Sequence, residues 1–86
     1  MNKWEVVGVI PKENYLLYLK FANGKKKVFD CKTLFDKPVF NKLKDVNYFN
    51  KVQLGYFSVV WNNELDIDPE CLYKRSRRLK WGEKYE

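Results

Sequence analysis

Asn23 and Gly24 limit the fold of this chain more than any other pair of residues. They sit between Tyr15-Leu16-Leu17-Tyr18-Leu19-Lys20-Phe21-Ala22 and Lys25-Lys26-Lys27-Val28-Phe29-Asp30, both β-prone. Asn-Gly between two such runs is the strongest short-range hairpin signal, because a type I′ turn needs positive φ at both central residues. A two-residue turn also sets the register. It pairs Ala22 with Lys25, Phe21 with Lys26, Lys20 with Lys27, Leu19 with Val28, Tyr18 with Phe29 and Leu17 with Asp30. One face then carries Leu17, Leu19, Phe21 and Val28, the expected core side. The other carries Tyr18, Phe29, Lys20, Lys25 and Lys27. Lys20 opposite Lys27 is a like-charge pair, so solvent, a partner or a different turn has to accommodate it.

The remaining elements follow from turn and cap signals. Glu5 to Ile10 is a β-branched strand that stops at Pro11 or continues only at a sheet edge. Asp30 caps a single turn over 32–35. Pro38 opens a short helix with Phe40 and Leu43 on one stripe, and Asp45 caps another turn over 46–50. Lys51 to Leu54 and Ser58 to Trp61 form a second hairpin around 55–57, followed by a loop at Asn62-Asn63-Glu64. Asp68-Pro69-Glu70 starts a terminal helix: a cap, a proline at the first position and an acid at the positive end of the dipole. The expected class is α+β: a small, mainly antiparallel sheet of two hairpins plus an N-terminal strand. Short helices pack on one face and a helix ends the fold. Eighty-six residues allow one domain, expected over 1–76. A basic tail over 77–86 then extends the helix or is unordered.

Composition removes several functions. The chain has no histidine, hence no Ser-His or Cys-His pairing and no imidazole ligand. Its two cysteines, Cys31 and Cys71, are far apart in sequence and too few for a closed zinc site. They read as packing residues, with a single disulfide as the alternative. Asp66, Asp68 and Glu70 read either as a hard-cation site or as a cap, a dipole partner and a solvated acid; the cap rule already accounts for two of them. Trp61 reads as core. The expectation is no enzyme and no cofactor. No apolar run approaches the roughly 18 residues of a membrane span, and Met1-Asn2-Lys3-Trp4 carries no apolar leader, so a reducing cytoplasm is expected.

The formal charge is +6. Residues 74–86 hold six basic and two acidic groups, a net +4, so most of the excess lies at the end of the chain. Two basic regions are candidate sites. Lys20, Lys25 and Lys27 lie beside Tyr18 and Phe29, an aromatic platform with flanking cations of the kind that holds single-stranded nucleic acid. Arg75, Arg77, Arg78 and Lys80 with Trp81 would neutralise phosphates or meet an acidic protein surface. Against both stands a solvated lysine face and a solubilising terminus.

Leu17 to Gly24, Val28-Phe29-Asp30, Pro38 to Asp45, Phe49, Val52, Val59 to Asn63 and Leu65 to Tyr73 occur in an order and spacing that resembles a small bacterial family, domain of unknown function 2442. The resemblance runs from Val6 to about Ser76. It departs at Glu64, where members usually have Gly in a Trp-Pro-Asn-Gly turn, and at Asn62, in the place of Pro. The resemblance implies a compact α+β domain with no catalytic residues to carry over. Members often stand alone, sometimes join a helix-turn-helix domain, and are often encoded beside another small protein, an arrangement that has suggested toxin–antitoxin-like pairs. The expected function is therefore a non-enzymatic interaction domain that binds a protein partner, another chain or itself. The alternative is a nucleic-acid-binding accessory module.

Overall fold

The first hairpin turns at Asn23 and Gly24, but not as a two-residue loop. In the computed structural model, which describes residues 4–85, Gly24 has φ 88° while Asn23 is not among the positive-φ residues. The Phe21 amide donates to the Lys25 carbonyl and the Gly24 amide to the Phe21 carbonyl, both at 2.9 Å. The Asn23 side-chain oxygen accepts from the Lys25 amide at 3.0 Å. Three residues therefore span the turn, with glycine alone in the left-handed conformation, the G1-bulge solution rather than type I′.

That one residue corrects the expected register. β2 (Leu16–Phe21) pairs with β3 (Lys26–Asp30) so that Lys20 faces Lys26, Leu19 faces Lys27, Tyr18 faces Val28 and Leu17 faces Phe29. A slip of one residue moves every side chain of the return strand to the opposite face. Phe29 thus enters the core and Val28 leaves it, the reverse of the expectation. Lys27 moves to the inner side, and the like-charge pair becomes Lys20 with Lys26.

β1 (Val6–Lys12) pairs antiparallel with β2, with a bulge between Val6 and Gly8. It runs through Pro11 because it is the edge strand, where a missing N–H costs no ladder bond. Cys31–Leu34 and Pro38–Lys44 are 3-10 turns, and α1 is the single turn Val46–Phe49. Asp30 and Asp45 accept from the Lys32 and Asn47 amides, both at 2.9 Å, as their capping roles require.

The second hairpin does not join the first sheet. β4 (Gln53–Gly55), β5 (Ser58–Trp61) and β6 (Leu65–Ile67) form a separate antiparallel sheet in that order. β6 lies between the expected loop at 62–64 and the expected terminal helix, where no local signal predicts an element. α2 (Pro69–Arg75) starts as expected, with Asp68 accepting from the Glu70 amide at 2.8 Å. It does not extend into the tail. Ser76 turns extended (φ −83°, ψ 159°), and β7 (Arg77–Arg78) adds to β3, pairing Lys27 with Arg78 and Val28 with Arg77. The first sheet is therefore β1-β2-β3-β7. Glu86, at the end of the expected tail, and Met1 to Lys3, read for a leader, lie outside the described residues.

One core joins both sheets. Leu17, Leu19, Phe21 and Phe29 from the first meet Val59, Trp61, Leu65 and Ile67 from the second, with Leu34, Leu43, Phe49 and Leu72 from the helical segments. Trp61 is completely buried, and its indole N–H donates to the Phe49 carbonyl at 2.9 Å. Cys31 is buried in this core and unpaired, and Cys71 is half-buried and unpaired. No described helix is long and apolar enough to cross a membrane.

Candidate functional site

The register that inverted β3 also assembles a basic groove. Lys25, Lys26, Lys27, Arg78 and Leu79 line a depression of about 340 Å³ with no acid in its wall. Lys25 leaves the turn, Lys26 and Lys27 point to opposite sides of β3, and Arg78 sits across from Lys27 because β7 pairs there. Like charges facing each other across a ladder are unfavourable unless solvent or an anion intervenes. Lys27 is partly spoken for: its ammonium donates to the Tyr73 carbonyl at 2.6 Å and lies 4.6 Å from the centre of that ring. Lys20, Lys25, Lys26, Arg78 and Lys80 join no ion pair among the described residues.

The eight residues singled out from the sequence thus divide. Lys25, Lys27 and Arg78 meet in the groove. Lys20 lies one strand away, cross-strand from Lys26 on the outer face of the sheet. Arg75 is on the exposed side of α2, beside a different depression with Asp68, Glu70 and Lys74. Arg77 is not free: its guanidinium grips both oxygens of Glu83, at 2.9 and 3.1 Å. Lys80 and Trp81 belong to a turn in which the Glu83 amide donates to the Lys80 carbonyl at 2.9 Å and Gly82 takes φ 89°. That turn leaves Trp81 fully exposed. Sequence reading missed Lys26, because the assumed register faced it into the core against Phe21.

The Arg77 contact sets the local electrostatics. The guanidinium, together with the Lys80 amide, holds the Glu83 carboxyl down to about 2. Burial first, then the nearby Glu83 carboxylate, raises the pKa of the Tyr18 hydroxyl. Glu64, the departure from the family turn, is also engaged. It accepts from Lys42 at 2.6 Å and from the Tyr48 hydroxyl at 3.1 Å, and its carboxyl is lowered by them. Glycine is not required there, because the left-handed positions are Asn62 (φ 53°) and Asn63 (φ 56°).

A third feature had no expectation attached. The β4–β5 turn places Tyr56 (φ 51°) and Phe57 (φ 68°) in the left-handed region, which favours Gly, Asn or Asp. Their side chains are 87% and 65% exposed. Tyr15 is also left-handed (φ 61°), but its ring packs on Phe35 and Phe49 at 5.0 and 5.4 Å, which offsets the strain. Tyr56 and Phe57 make no such ring contacts among the described residues. The Phe57 carbonyl accepts from the Val6 amide at 2.9 Å, which fixes the tip against the start of β1, and Val7 and Leu54 nearby are exposed as well.

For metal chemistry the structure assembles little: Asp68 caps α2, Glu70 pairs with Lys74 at 2.6 Å, and no three potential ligands gather among the described residues. Burial pushes the Cys31 thiol up to about 12, the opposite of an activated nucleophile.

Comparison with known proteins agrees with the resemblance noted above. No curated protein and no solved structure matches the chain significantly. A family model, Protein of unknown function (DUF2442), matches residues 6–78, from the first strand to the last and ending just short of the Lys80–Glu83 turn. With most of its length covered by that match, the chain belongs to the DUF2442 family.

Proposed function

We propose that this domain is a non-enzymatic interaction module whose partner is another protein, gripped by the tip of the β4–β5 hairpin. The observation that carries the reading is the pair Tyr56 and Phe57: large, exposed and held in left-handed backbone. Left-handed conformation costs an ordinary residue about 1–2 kcal/mol, so two aromatics there are a poor choice for stability alone. Aromatic anchors on a rigid support are the residues that dominate protein interfaces. The tip is tied to β1 through Val6, so little ordering entropy remains to be lost on binding. A paired small protein, of the toxin–antitoxin-like kind suggested by the family resemblance, is the form such a partner would take.

A photo-cross-linking residue placed at 57 tests this in the source cell, with one at the exposed position 66 of β6 as the control. A discrete protein adduct from position 57 alone is expected, lost on Tyr56→Asn. Equal labelling from both positions, or none, overturns the reading.

The basic groove favours a second reading, nucleic-acid binding. Lys25, Lys26 and Arg78 are unpaired and converge without an acid between them. Binding there would weaken steeply with salt, and each of the three changed to Ala would lower the logarithmic salt slope by about 1. Affinity for single-stranded oligonucleotides that is absent or independent of salt removes it.

A further inference from the structure

The outer face of the four-stranded sheet is covered by something other than the core. Tyr18 and Val28 are only 9% and 1% exposed, yet neither belongs to the core cluster. Over them folds the segment 79–85. It is held by Arg77, which lies cross-strand from Val28, and by Glu83, which pairs with Arg77 and sits in the electrostatic neighbourhood of Tyr18. Tyr85 lies over Gly8 of β1: a side-chain carbon placed on Gly8 would come 2.1 Å from the Tyr85 hydroxyl oxygen. The glycine in this strand makes room for that ring.

We propose that this outer face is a docking site for an extended acidic segment of a partner protein, and that residues 79–85 occupy it in cis. The resident segment defines the ligand: a carboxylate for Arg77, with an aromatic side chain two residues further on for the surface above Gly8. It also fits imperfectly. It brings Lys80 and Lys84 along with Glu83 to a face whose rim already carries the unpaired Lys20 and Lys26. A segment with carboxylates in place of those lysines would meet the rim with complementary charge. The resident hold is displaceable. Its ion pair is partly exposed, its Trp81 touches solvent on all sides, and it starts after the last family-matched residue. This site does not use the Tyr56–Phe57 tip, so either proposal can fail alone.

The test measures binding of a fluorescent peptide, acetyl-Leu-Glu-Trp-Gly-Glu-Glu-Tyr-amide, to the full chain by anisotropy. Wild type has to open its own strap first, so its apparent affinity is reduced by the open fraction. The Glu83→Gln chain is expected to bind about tenfold tighter, and Arg77→Met in that background to lose the gain. A peptide with Gln at its central Glu should bind neither. Tyr85→Ala removes the resident ring from above Gly8 by an independent route, leaves the docking surface intact, and should reproduce the gain should Glu83→Gln fold poorly. Equal binding by wild type and both opened chains, or indifference to Arg77, overturns the proposal. So does a concentration-dependent dimer of the opened chains without peptide binding, which would assign the face to a second copy. Tyr56→Asn should bind the peptide as wild type does, which separates this result from the hairpin-tip reading.

Discussion

At the scale of single residues, the same chemical type is used in opposite ways according to its surroundings. Cys31 is sealed in the core with its thiol raised to about 12, whereas Cys71 sits half-buried on α2. In native protein a thiol reagent at neutral pH should titrate one cysteine, Cys71, and reach Cys31 only as the fold opens in denaturant. Two fast equivalents would contradict the burial. Glu83 illustrates the pH logic of the strap. Its folded pKa is depressed from 4.5 to about 2, chiefly by Arg77 and then by the Lys80 amide. A depressed carboxyl favours the closed state fully above its unfolded value and loses that contribution as pH falls towards 2. Arg77 stays charged throughout, and Tyr18 and Tyr85, both raised, stay neutral. The aromatic chemical shifts of Tyr18 and Tyr85 should therefore move between pH 4.5 and 2 in wild type. In Glu83→Gln that movement should be missing. The charge of Arg77 is legible in the sequence but its partner is not, because the acid that captures it becomes a neighbour only once the chain turns at Gly82.

At the scale of elements, what was readable depended on whether a local signal has one structural meaning. Asp68-Pro69 has essentially one, and α2 begins there; Asp68→Ala should lower stability by about 1 kcal/mol, or about 4–8 °C in the melt. Asn23-Gly24 has two. Type I′ and a G1 bulge both place Gly24 at positive φ and differ at Ala22 and Asn23; the Asn23 side chain here bonds the Lys25 amide and the Tyr73 hydroxyl. The second partner is fifty residues away, so the choice, and with it the faces of β3, was not local information. β6 is three residues long and the strap has no regular structure; neither has a period to detect. The β4–β5 turn is the opposite case, where sequence argues against the observed backbone. Tyr56→Asn with Phe57→Gly restores the residues that such a turn favours and should stabilise the chain by about 1–2 kcal/mol. A higher urea midpoint is the expected outcome. A lower midpoint would mean the aromatics serve the fold itself.

At the scale of the whole molecule, the question is whether two small sheets behave as one body. The second is at the lower limit of size, with three strands of three or four residues each, and its buried side chains belong to the same core cluster as those of the first. What joins them runs through Trp61. Its ring packs beside Phe49 at 6.3 Å between centroids, and its N–H satisfies the Phe49 carbonyl, so β5 and α1 are held by one side chain that also reaches the first sheet's inner face through the shared core. Trp61→Phe removes that donor, leaves a buried acceptor without its partner and opens space where the larger ring lay. A loss of about 2–4 kcal/mol follows. Were the sheets independent, this loss would fall on the second alone, and unfolding would split, with the strand signal of the first sheet outlasting the tertiary signal of the second. A single core predicts instead that far-UV and near-UV transitions shift together to lower urea and stay coincident. Coincidence matters for function too, since the hairpin tip, the basic groove and the outer face each depend on positions set by the other elements. A mutation in the core that leaves the transition single should weaken occupancy at all three surfaces only through the folded fraction, whereas substitutions at Tyr56, Arg78 or Arg77 should each silence one surface and spare the others.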